Sequence, residues 1–355
     1  MPLSLKQKIA LEVERLHRKN AKELHPLNQL FWESTLRCNL KCRHCGSDCK
    51  VQSETPDMPA EDFLRVIDSI IPHVDPHKLM VIISGGEPLM RRDLEEVGKE
   101  LYRREMPWGM VSNGMLLEEK RLTNLMQAGL RSVTISLDGK EEDHNWMRGH
   151  QNSFRNAINA IQLLSKTKLK WDVVTCVNGR NLSYLPELKT ILYGAGVRHW
   201  RLVSIFPLGR AKQYPEFQLS NGQFRQLLDF IKDTRKEGLI HTSYGCEGFL
   251  GEYEGEVRDH FYYCGAGINV ASILIDGSIS ACTSIRSKFY QGNIYHDDFW
   301  DVWENRFQTY RYRDWAKKGE CADCKMFRYC EGNGMHLHDE DGKLLVCHYN
   351  KIKTT

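Results

Sequence analysis

The stretch that decides the fold is Arg37-Cys-Asn-Leu-Lys-Cys-Arg-His-Cys-Gly46. Its cysteines, Cys38, Cys42 and Cys45, are separated by three and then two residues. This spacing lets one short loop present three thiolates to one metal centre, which suits an iron–sulfur cube. The cube has four irons and this loop supplies only three thiolates. One iron therefore stays open for a small chelating molecule, as at a catalytic metal site.

A zinc site or buried free thiols are the alternative for these cysteines. Zinc ligands usually come as pairs of cysteines two residues apart, and a cysteine is often a small apolar core residue. The unequal spacing favours the cluster. Cys49 lies outside the spacing, and we predict that it is a buried thiol and not a ligand.

Composition limits the class of protein. The 355 residues carry a net charge of +3, and no concentrated basic patch of the kind that binds nucleic acid is evident. Twelve cysteines in a long chain without an export signal indicate metal ligation in a reduced, cytoplasmic protein. Residues 1–28 are predicted to form an amphipathic helix, and no apolar stretch is long enough to cross a membrane.

Residues 29–210 alternate between strand-like and helix-like apolar patterns. This alternation predicts parallel strands joined by right-handed crossovers. Six such units fit an α/β fold, a partial (β/α)6 TIM-like barrel. The predicted strands are Leu30–Leu36, Leu79–Ser84, Trp108–Ser112, Ser132–Leu137, Trp171–Val177 and His199–Ile205.

Small and polar groups follow the first four predicted strands. In barrels of this type the reactive groups lie on loops at the carboxyl ends of the strands. We therefore expect these groups to meet at one rim of the barrel. They are the three-cysteine loop, Ser84-Gly-Gly-Glu-Pro88, Ser112-Asn-Gly114 and Ser136-Leu-Asp-Gly139.

The composition changes again after a predicted helical linker, residues 211–263. Ile268–Cys282 predicts a hairpin with its turn at Asp276-Gly277, flanked by Cys264 and Cys282. Within this C-terminal domain, residues 264–355, four thiols can close a second metal site, and their spacing leaves zinc and an iron–sulfur cluster equally open. These thiols are Cys321, Cys324, Cys330 and Cys347.

From Phe31 to Tyr349 the chain resembles a radical S-adenosylmethionine (radical SAM) enzyme with a SPASM-type C-terminal extension. The resemblance implies that the three-cysteine loop holds a 4Fe-4S cluster with S-adenosylmethionine on its open iron. It implies cleavage of this cofactor to a 5′-deoxyadenosyl radical that abstracts hydrogen from a carbon. By matching to the family motifs, the cofactor-binding residues are His44, Gly85, Gly86, Glu87, Asn113, Ser136, Asp138 and Arg148.

For one segment and one further residue of this set, the resemblance indicates which group of the cofactor is bound. The segment with Gly85, Gly86 and Glu87 matches the one that receives the amino group of the cofactor, since carbonyls and a carboxylate suit an ammonium. Arg148 is the candidate partner of the methionine carboxylate, because a guanidinium binds carboxylate bidentately. A solvent-facing salt bridge is the alternative for Arg148.

The resemblance also assigns the second metal site. In the SPASM pattern the group that matches Cys321, Cys324, Cys330 and Cys347 holds one auxiliary 4Fe-4S cluster. A further cysteine of the pattern is replaced by Gly334. We therefore expect no second auxiliary cluster, and at most a remnant site at Cys264 and Cys282. Replacement of the missing ligand by His336 or His338 is the less favoured alternative.

Relatives of this type mostly mature ribosomally made peptides or proteins (RiPP-type maturation). The leading hypothesis is oxidation, crosslinking or epimerisation of a peptide, with flavodoxin or ferredoxin as the external reductant. Because about thirty residues precede the first strand, we expect that a leader peptide is recognised by a separate peptide-recognition protein or by the barrel itself. The alternatives are a dehydrogenase or epimerase of a small molecule or sugar, and a non-catalytic iron–sulfur or zinc protein. Cys246 is a candidate hydrogen donor, and Cys176 is expected to be an ordinary thiol.

Overall fold

One ten-stranded sheet organises the computed structural model, which describes residues 3–245, 248–285 and 289–353. The strand order is β10-β9-β8-β1-β2-β3-β4-β5-β6-β7. Strands β1 to β6 each pair in parallel with the next strand along the chain, up to β7, which confirms the predicted partial barrel. The strands are β1 Gln29–Thr35, β2 Met80–Gly85, β3 Trp108–Ser112, β4 Leu130–Ser136, β5 Lys170–Val177, β6 His199–Ser204, β7 His241–Tyr244, β8 Val270–Ile273, β9 Ser278–Ser280 and β10 Gly292–Asn293.

Helices between the barrel strands cover the outer face of the barrel, and other helices precede β1 or follow β10. The helices are α1 Leu5–Leu24, α2 Ala60–Ile70, α3 Leu94–Arg103, α4 Glu119–Gln127, α5 Glu141–Arg148, α6 Ser153–Leu164, α7 Leu185–Gly194, α8 Asn221–Glu237, α9 Phe299–Asn305, α10 Gln308–Arg311, α11 Phe327–Cys330 and α12 His348–Ile352. None of the helices in the described ranges combines the length and apolar character that a bilayer crossing needs.

The strands bury one face more completely than the other. On β4, Val133 and Ile135 are buried against the helices, whereas Thr134 between them is only half-buried. On β6, Trp200 and Leu202 are fully buried while Arg201 is exposed. Since successive side chains of a strand point to opposite faces, the less buried residues, Thr134 and Arg201, face the interior of the barrel.

The structure adds a seventh parallel strand, β7, in the segment predicted as a helical linker. Its four residues, His241–Tyr244, pair with β6. A strand this short, with the sequence His-Thr-Ser-Tyr, lacks the apolar run by which a strand is recognised. The helix α8 before it was expected, and it begins at Ser220, whose side chain accepts a hydrogen bond from the amide of Gln223.

The predicted hairpin is present as β8 and β9, which pair in antiparallel fashion. Gly277 in its turn has φ 84°, a conformation that glycine adopts without steric cost. Strand β8 also pairs in parallel with β1. The cysteine-rich segment therefore continues the barrel sheet next to the strand that leads into the three-cysteine loop.

The helix α1 packs its polar side on the cysteine-rich segment. Arg18 is buried, and its Nη1 donates to the carbonyl oxygen of Tyr329 at 2.7 Å. Lys22 forms an ion pair of 2.7 Å with Glu331. The apolar residues that suggested the helix face outward instead, and these exposed side chains are Leu5, Ile9, Val13 and Leu16.

Candidate active site

The three-cysteine loop lies at the carboxyl ends of the barrel strands and lines a cavity of about 150 Å³. Most of the residues that the family motifs indicated line this same cavity: Cys38, Cys42, His44, Cys45, Gly85, Gly86, Asn113, Ser136 and Arg148. The expected meeting of four loops at one rim is therefore what the tertiary structure shows. Glu87 and Asp138 do not line the cavity and lie behind it.

Two glycines let the loop after β2 touch the start of the cysteine loop. Gly85 has φ 129°, and a Cβ there would lie 2.1 Å from the carbonyl oxygen of Thr35. A Cβ on Gly86 would lie 2.2 Å from the carbonyl oxygen of Arg37. Any side chain at these positions would push the two loops apart.

Glu87 joins the ends of β2 and β3 and does not face the cavity. Its carboxylate is fully buried and accepts hydrogen bonds from the hydroxyl of Ser112 at 2.9 Å and the amide of Asn113 at 2.8 Å. The amide of Leu89 is a third donor, at 3.1 Å. Burial raises the pKa of Glu87. The carboxylate therefore positions Asn113, and contact of this segment with the amino group of the cofactor stays a prediction.

Asp138 and Arg148 form a buried ion pair beside the cysteine loop. Arg148 Nε donates to Asp138 Oδ2 at 2.6 Å, and the amide of Cys176 donates to Oδ1 at 2.9 Å. Burial by itself raises the pKa of Asp138, but the Arg148 guanidinium, the His44 and His144 rings and the amide of Cys176 together outweigh it and the pKa falls to about 2. Arg148 Nη1 lies 3.8 Å from Cys42 Sγ. The alternative of a solvent-facing salt bridge is wrong, since Arg148 is only 7% exposed.

His44 and Asn113 complete the wall nearest the cysteines. Burial lowers the pKa of His44 to about 4, so its ring is neutral at pH 7. Its buried Nδ1 has no hydrogen-bond partner among the described residues. Asn113 Nδ2 donates to Asn39 Oδ1 at 2.8 Å and lies 3.8 Å from Cys38 Sγ. Both side chains present polar groups to the cavity.

Arg210 is a residue of this cavity that the sequence reasoning missed. It follows β6, and its Nε donates to the carbonyl oxygen of Cys42 at 2.7 Å. Its Nη1 donates to the carbonyl oxygen of Cys49 at 2.9 Å and to Asp48 at 2.7 Å. The loop after β6 thus stabilises the cysteine loop through these hydrogen bonds. The position of Arg210 after the end of a predicted strand was the sequence signal that could have identified it.

Cys49 lies in the cavity wall beside the three predicted ligands. It is 4% exposed and packs with Cys38, Cys42 and Cys45. A hydrogen bond between the Cys49 and Cys45 side chains lowers the pKa of Cys45 to about 5. That Cys49 is not itself a ligand remains a prediction.

The four thiols predicted to hold the auxiliary cluster converge in the C-terminal segment. Burial, together with the charges of Cys347 and Cys324, raises the pKa of Cys321 to about 11. Burial and the charges of Cys347 and Cys321 likewise raise the pKa of Cys330. Asn333 is a second residue that the sequence reasoning missed, and its amide donates to Cys330 Sγ at 3.2 Å.

Cys264 has a cationic partner within the same segment. The buried Arg313 donates a hydrogen bond to its thiol and lowers the pKa of Cys264, although burial acts in the opposite direction. The amide of Met335, directly after Gly334, also donates to this thiol. Of the two histidines considered as replacement ligands, His338 is buried, and burial lowers its pKa to about 4.

The donor atoms fit iron–sulfur clusters. Sets of three and four thiolates are the soft ligands that such clusters take. Burial raises the pKa of Cys38 to about 12, so a metal that binds this sulfur must displace its proton. Cys176 lies half-buried in the barrel interior, and Cys246, the candidate hydrogen donor, lies outside the described residues.

Comparisons with known proteins identify the family. The model of the radical SAM superfamily matches residues 32–191, and that of the SPASM iron–sulfur cluster-binding domain matches residues 264–325. The mycofactocin maturase MftC of Mycolicibacterium smegmatis is 30% identical over 315 residues, 86% of this chain and 77% of that protein. The chain belongs to the radical SAM superfamily. As a radical SAM enzyme with a SPASM domain, it uses S-adenosylmethionine, a 4Fe-4S cluster and auxiliary iron–sulfur ligation.

Two further proteins are similar over most of the chain. An AdoMet-dependent heme synthase of Oleidesulfovibrio alaskensis is 23% identical over 350 residues, 91% of this chain and 88% of that protein. The crystal structure of Streptococcus suis SuiB bound to precursor peptide SuiA superimposes with a TM-score of 0.71 at 16% identity, covering 94% of this chain and 78% of SuiB. The latter shows the shared fold of the radical SAM barrel.

Proposed function

We propose that this radical SAM enzyme abstracts hydrogen from a carbon of a peptide or protein, leading to oxidation, crosslinking or epimerisation. The observation that carries the proposal is a second cavity, of about 800 Å³, at the amino-terminal ends of β4 to β7. The barrel is therefore open at the end opposite the cysteines, where a chain segment can enter while the remainder stays in solvent. The maturase MftC, at 30% identity, and SuiB with its precursor peptide support this choice.

The residues of this chain have distinct parts in the proposed reaction. When bound, the cluster and S-adenosylmethionine together supply a carbon radical able to take hydrogen from an unactivated carbon. Cys38, Cys42 and Cys45 would hold the cluster. Arg148 would bind the carboxylate of the cofactor, and Asp138 fixes the orientation of that guanidinium.

The C-terminal thiols would serve electron transfer. Cys321, Cys324, Cys330 and Cys347 would ligate every iron of one auxiliary cluster, so that no iron there is open to substrate. An external one-electron reductant such as flavodoxin or ferredoxin, and a separate peptide-recognition protein, are part of the proposal.

A tetrapyrrole is the second candidate substrate. The heme synthase of Oleidesulfovibrio alaskensis aligns with 91% of this chain, more than MftC does. In that case the same radical chemistry would act on a small molecule with carboxylate side chains.

Turnover by the reconstituted enzyme tests the proposal. The holoenzyme is incubated without oxygen with S-adenosylmethionine, dithionite and either peptides encoded beside its gene or iron-coproporphyrin III. We expect 5′-deoxyadenosine and a change in peptide mass. A mass change confined to the porphyrin would contradict the peptide assignment, and no 5′-deoxyadenosine under any condition would contradict the radical chemistry.

A further inference from the structure

The interior of the barrel has two chemically different walls. The inward face of β1, β2 and β3 carries three half-buried apolar side chains, Phe31, Ile82 and Val111, and, nearer the carboxyl ends of the strands, the buried Glu33 and Ser84. On β4 to β7 the inward-facing residues that line the larger cavity include Thr134, Asp172, Arg201 and His241, all polar or charged, while Val174 and Val203 follow further along the same faces. A ligand in this interior therefore meets Phe31, Ile82 and Val111 on one side and the polar residues of the larger cavity on the other.

Arg201 is fixed on the polar wall by residues of two neighbouring strands. Its Nε donates to Asp172 Oδ2 at 2.5 Å, and its Nη2 donates to the hydroxyl oxygen of Thr134 at 3.0 Å. The Thr134 hydroxyl in turn donates to Asp172 Oδ1 at 2.7 Å. A guanidinium whose plane is already held loses little conformational entropy when it binds a ligand.

The guanidinium lies within reach of the cofactor cavity. Ser136 lines that cavity, and Thr134, two residues earlier on the same face of β4, lines the larger one. Two residues of a strand span about 7 Å. If the carboxylate of a ligand binds Arg201, the carbons near that carboxylate therefore lie one or two such spans of about 7 Å from the cofactor cavity.

Positive charge exceeds negative charge around this opening. Besides Arg201, both Lys170 and Arg198 line the cavity, and neither forms an ion pair with any residue that the structure describes. The carboxylate of Asp259 is already held by Arg235 at 2.7 Å and His241 at 2.8 Å. An opening with an excess of cations attracts anionic ligands.

From these observations we infer that the barrel interior recognises an amphiphilic carboxylate, and that Arg201 is its specificity-determining residue. The carboxylate is held by Arg201, and the apolar part packs on Phe31, Ile82 and Val111. This inference rests on the proposed function and adds the chemical class of the substrate. A peptide with a free C-terminus beside an apolar side chain and a tetrapyrrole with propionates both belong to this class.

Equilibrium binding to the holoenzyme tests the inference with matched probes. One arm compares coproporphyrin III with its tetramethyl ester by fluorescence quenching. The other compares a short peptide that ends in an aromatic residue and a free carboxylate with its C-terminal amide. We expect Arg201→Ala to weaken binding of the free acid about tenfold or more, the usual effect of losing a charge-assisted hydrogen bond, and to leave the ester or amide unaffected.

A second variant separates ligand binding from support of the fold. Asp172→Asn removes the internal carboxylate that competes for Arg201, so it should tighten binding of the free acid severalfold. A purely structural role would weaken binding in both variants. The exposed Arg155 on α6 provides the control, and Arg155→Ala should bind like the unaltered protein.

The outcomes separate the inference from the function on which it rests. A preference for free coproporphyrin III over its ester would identify a tetrapyrrole as the source of the carboxylate, and a preference for the peptide acid over its amide would identify a peptide. Equal binding of acid and ester, and of acid and amide, by the unaltered protein would overturn the inference. Cleavage of S-adenosylmethionine by the unaltered protein is measured in parallel with and without substrate, and its absence under every condition would overturn the proposed function instead.

Discussion

The guanidinium of Arg313 donates a hydrogen bond to the thiol of Cys264 in the SPASM segment. Arg313 is buried and Cys264 is half-buried, and the cation balances the charge of the thiolate. The backbone beside Gly334 supplies another donor to the same sulfur, through the amide of Met335. Cys264 is therefore satisfied by protein donors where the family pattern has a cluster ligand.

The first prediction concerns iron content. One cube on the three-cysteine loop and one on the four C-terminal thiols give about eight irons per chain. Cys264→Ala should leave this number unchanged, because Arg313 already partners that sulfur. Cys347→Ala should lower it to about four. Iron and sulfide assays with Mössbauer spectroscopy measure the count, and about twelve irons in the unaltered protein would refute the single auxiliary cluster.

The second prediction concerns the Arg148 carboxylate site. Arg148→Gln alone would leave Asp138 as an unpaired buried carboxylate and cost about 3–5 kcal/mol of stability. The double variant Asp138→Asn, Arg148→Gln replaces the pair by neutral amides and should fold. Its affinity for S-adenosylmethionine should be at least about tenfold weaker, from loss of a charge-assisted contact. Equilibrium dialysis measures this affinity, and unchanged binding would remove Arg148 from the site.

The third prediction concerns the contact between Arg210 and the cysteine loop. Arg210→Ala removes the donors to the carbonyl oxygens of Cys42 and Cys49, and should cost about 1–3 kcal/mol locally. The cluster should then be lost severalfold faster in air or in the presence of a chelator, as followed by its visible absorption. Lys212→Ala, an exposed position on the same turn, serves as the control. Equal rates in the two variants would show that Arg210 does not stabilise the loop.

The fourth prediction concerns the hydrogen bond between Cys49 and Cys45. Cys49→Ala should retain the N-terminal cluster, since Cys49 is predicted not to be a ligand. Its reduction potential should fall by about 20 to 60 mV, the equivalent of one hydrogen bond of ~0.5–1.5 kcal/mol to a sulfur that is more negative when reduced. Potentiometric titration followed by electron paramagnetic resonance measures the shift. Loss of the cluster itself would instead make Cys49 a ligand.

The barrel strands were predictable because each is a local apolar run between turn residues. The strand β3 was predicted at its observed limits, Trp108–Ser112, and β6 differs from its predicted range by one residue. The strand β7 was not predictable, since its stability comes from pairing with β6 and not from its own four residues. The role of Glu87 was also missed, because nothing local shows that its carboxylate turns toward Ser112 and Asn113.

The sequence by itself determined the cysteine sets and the barrel, because ligand spacing and apolar periodicity are properties of neighbouring residues. Only the tertiary structure decided which distant groups surround the clusters, such as Arg210 beside Cys42 and Arg313 beside Cys264. It also decided the charge inside the barrel. The parallel registers of β4, β5 and β6 place Thr134 opposite Asp172 and bring Arg201 beside them, and such a register is set by contacts between segments far apart in the chain.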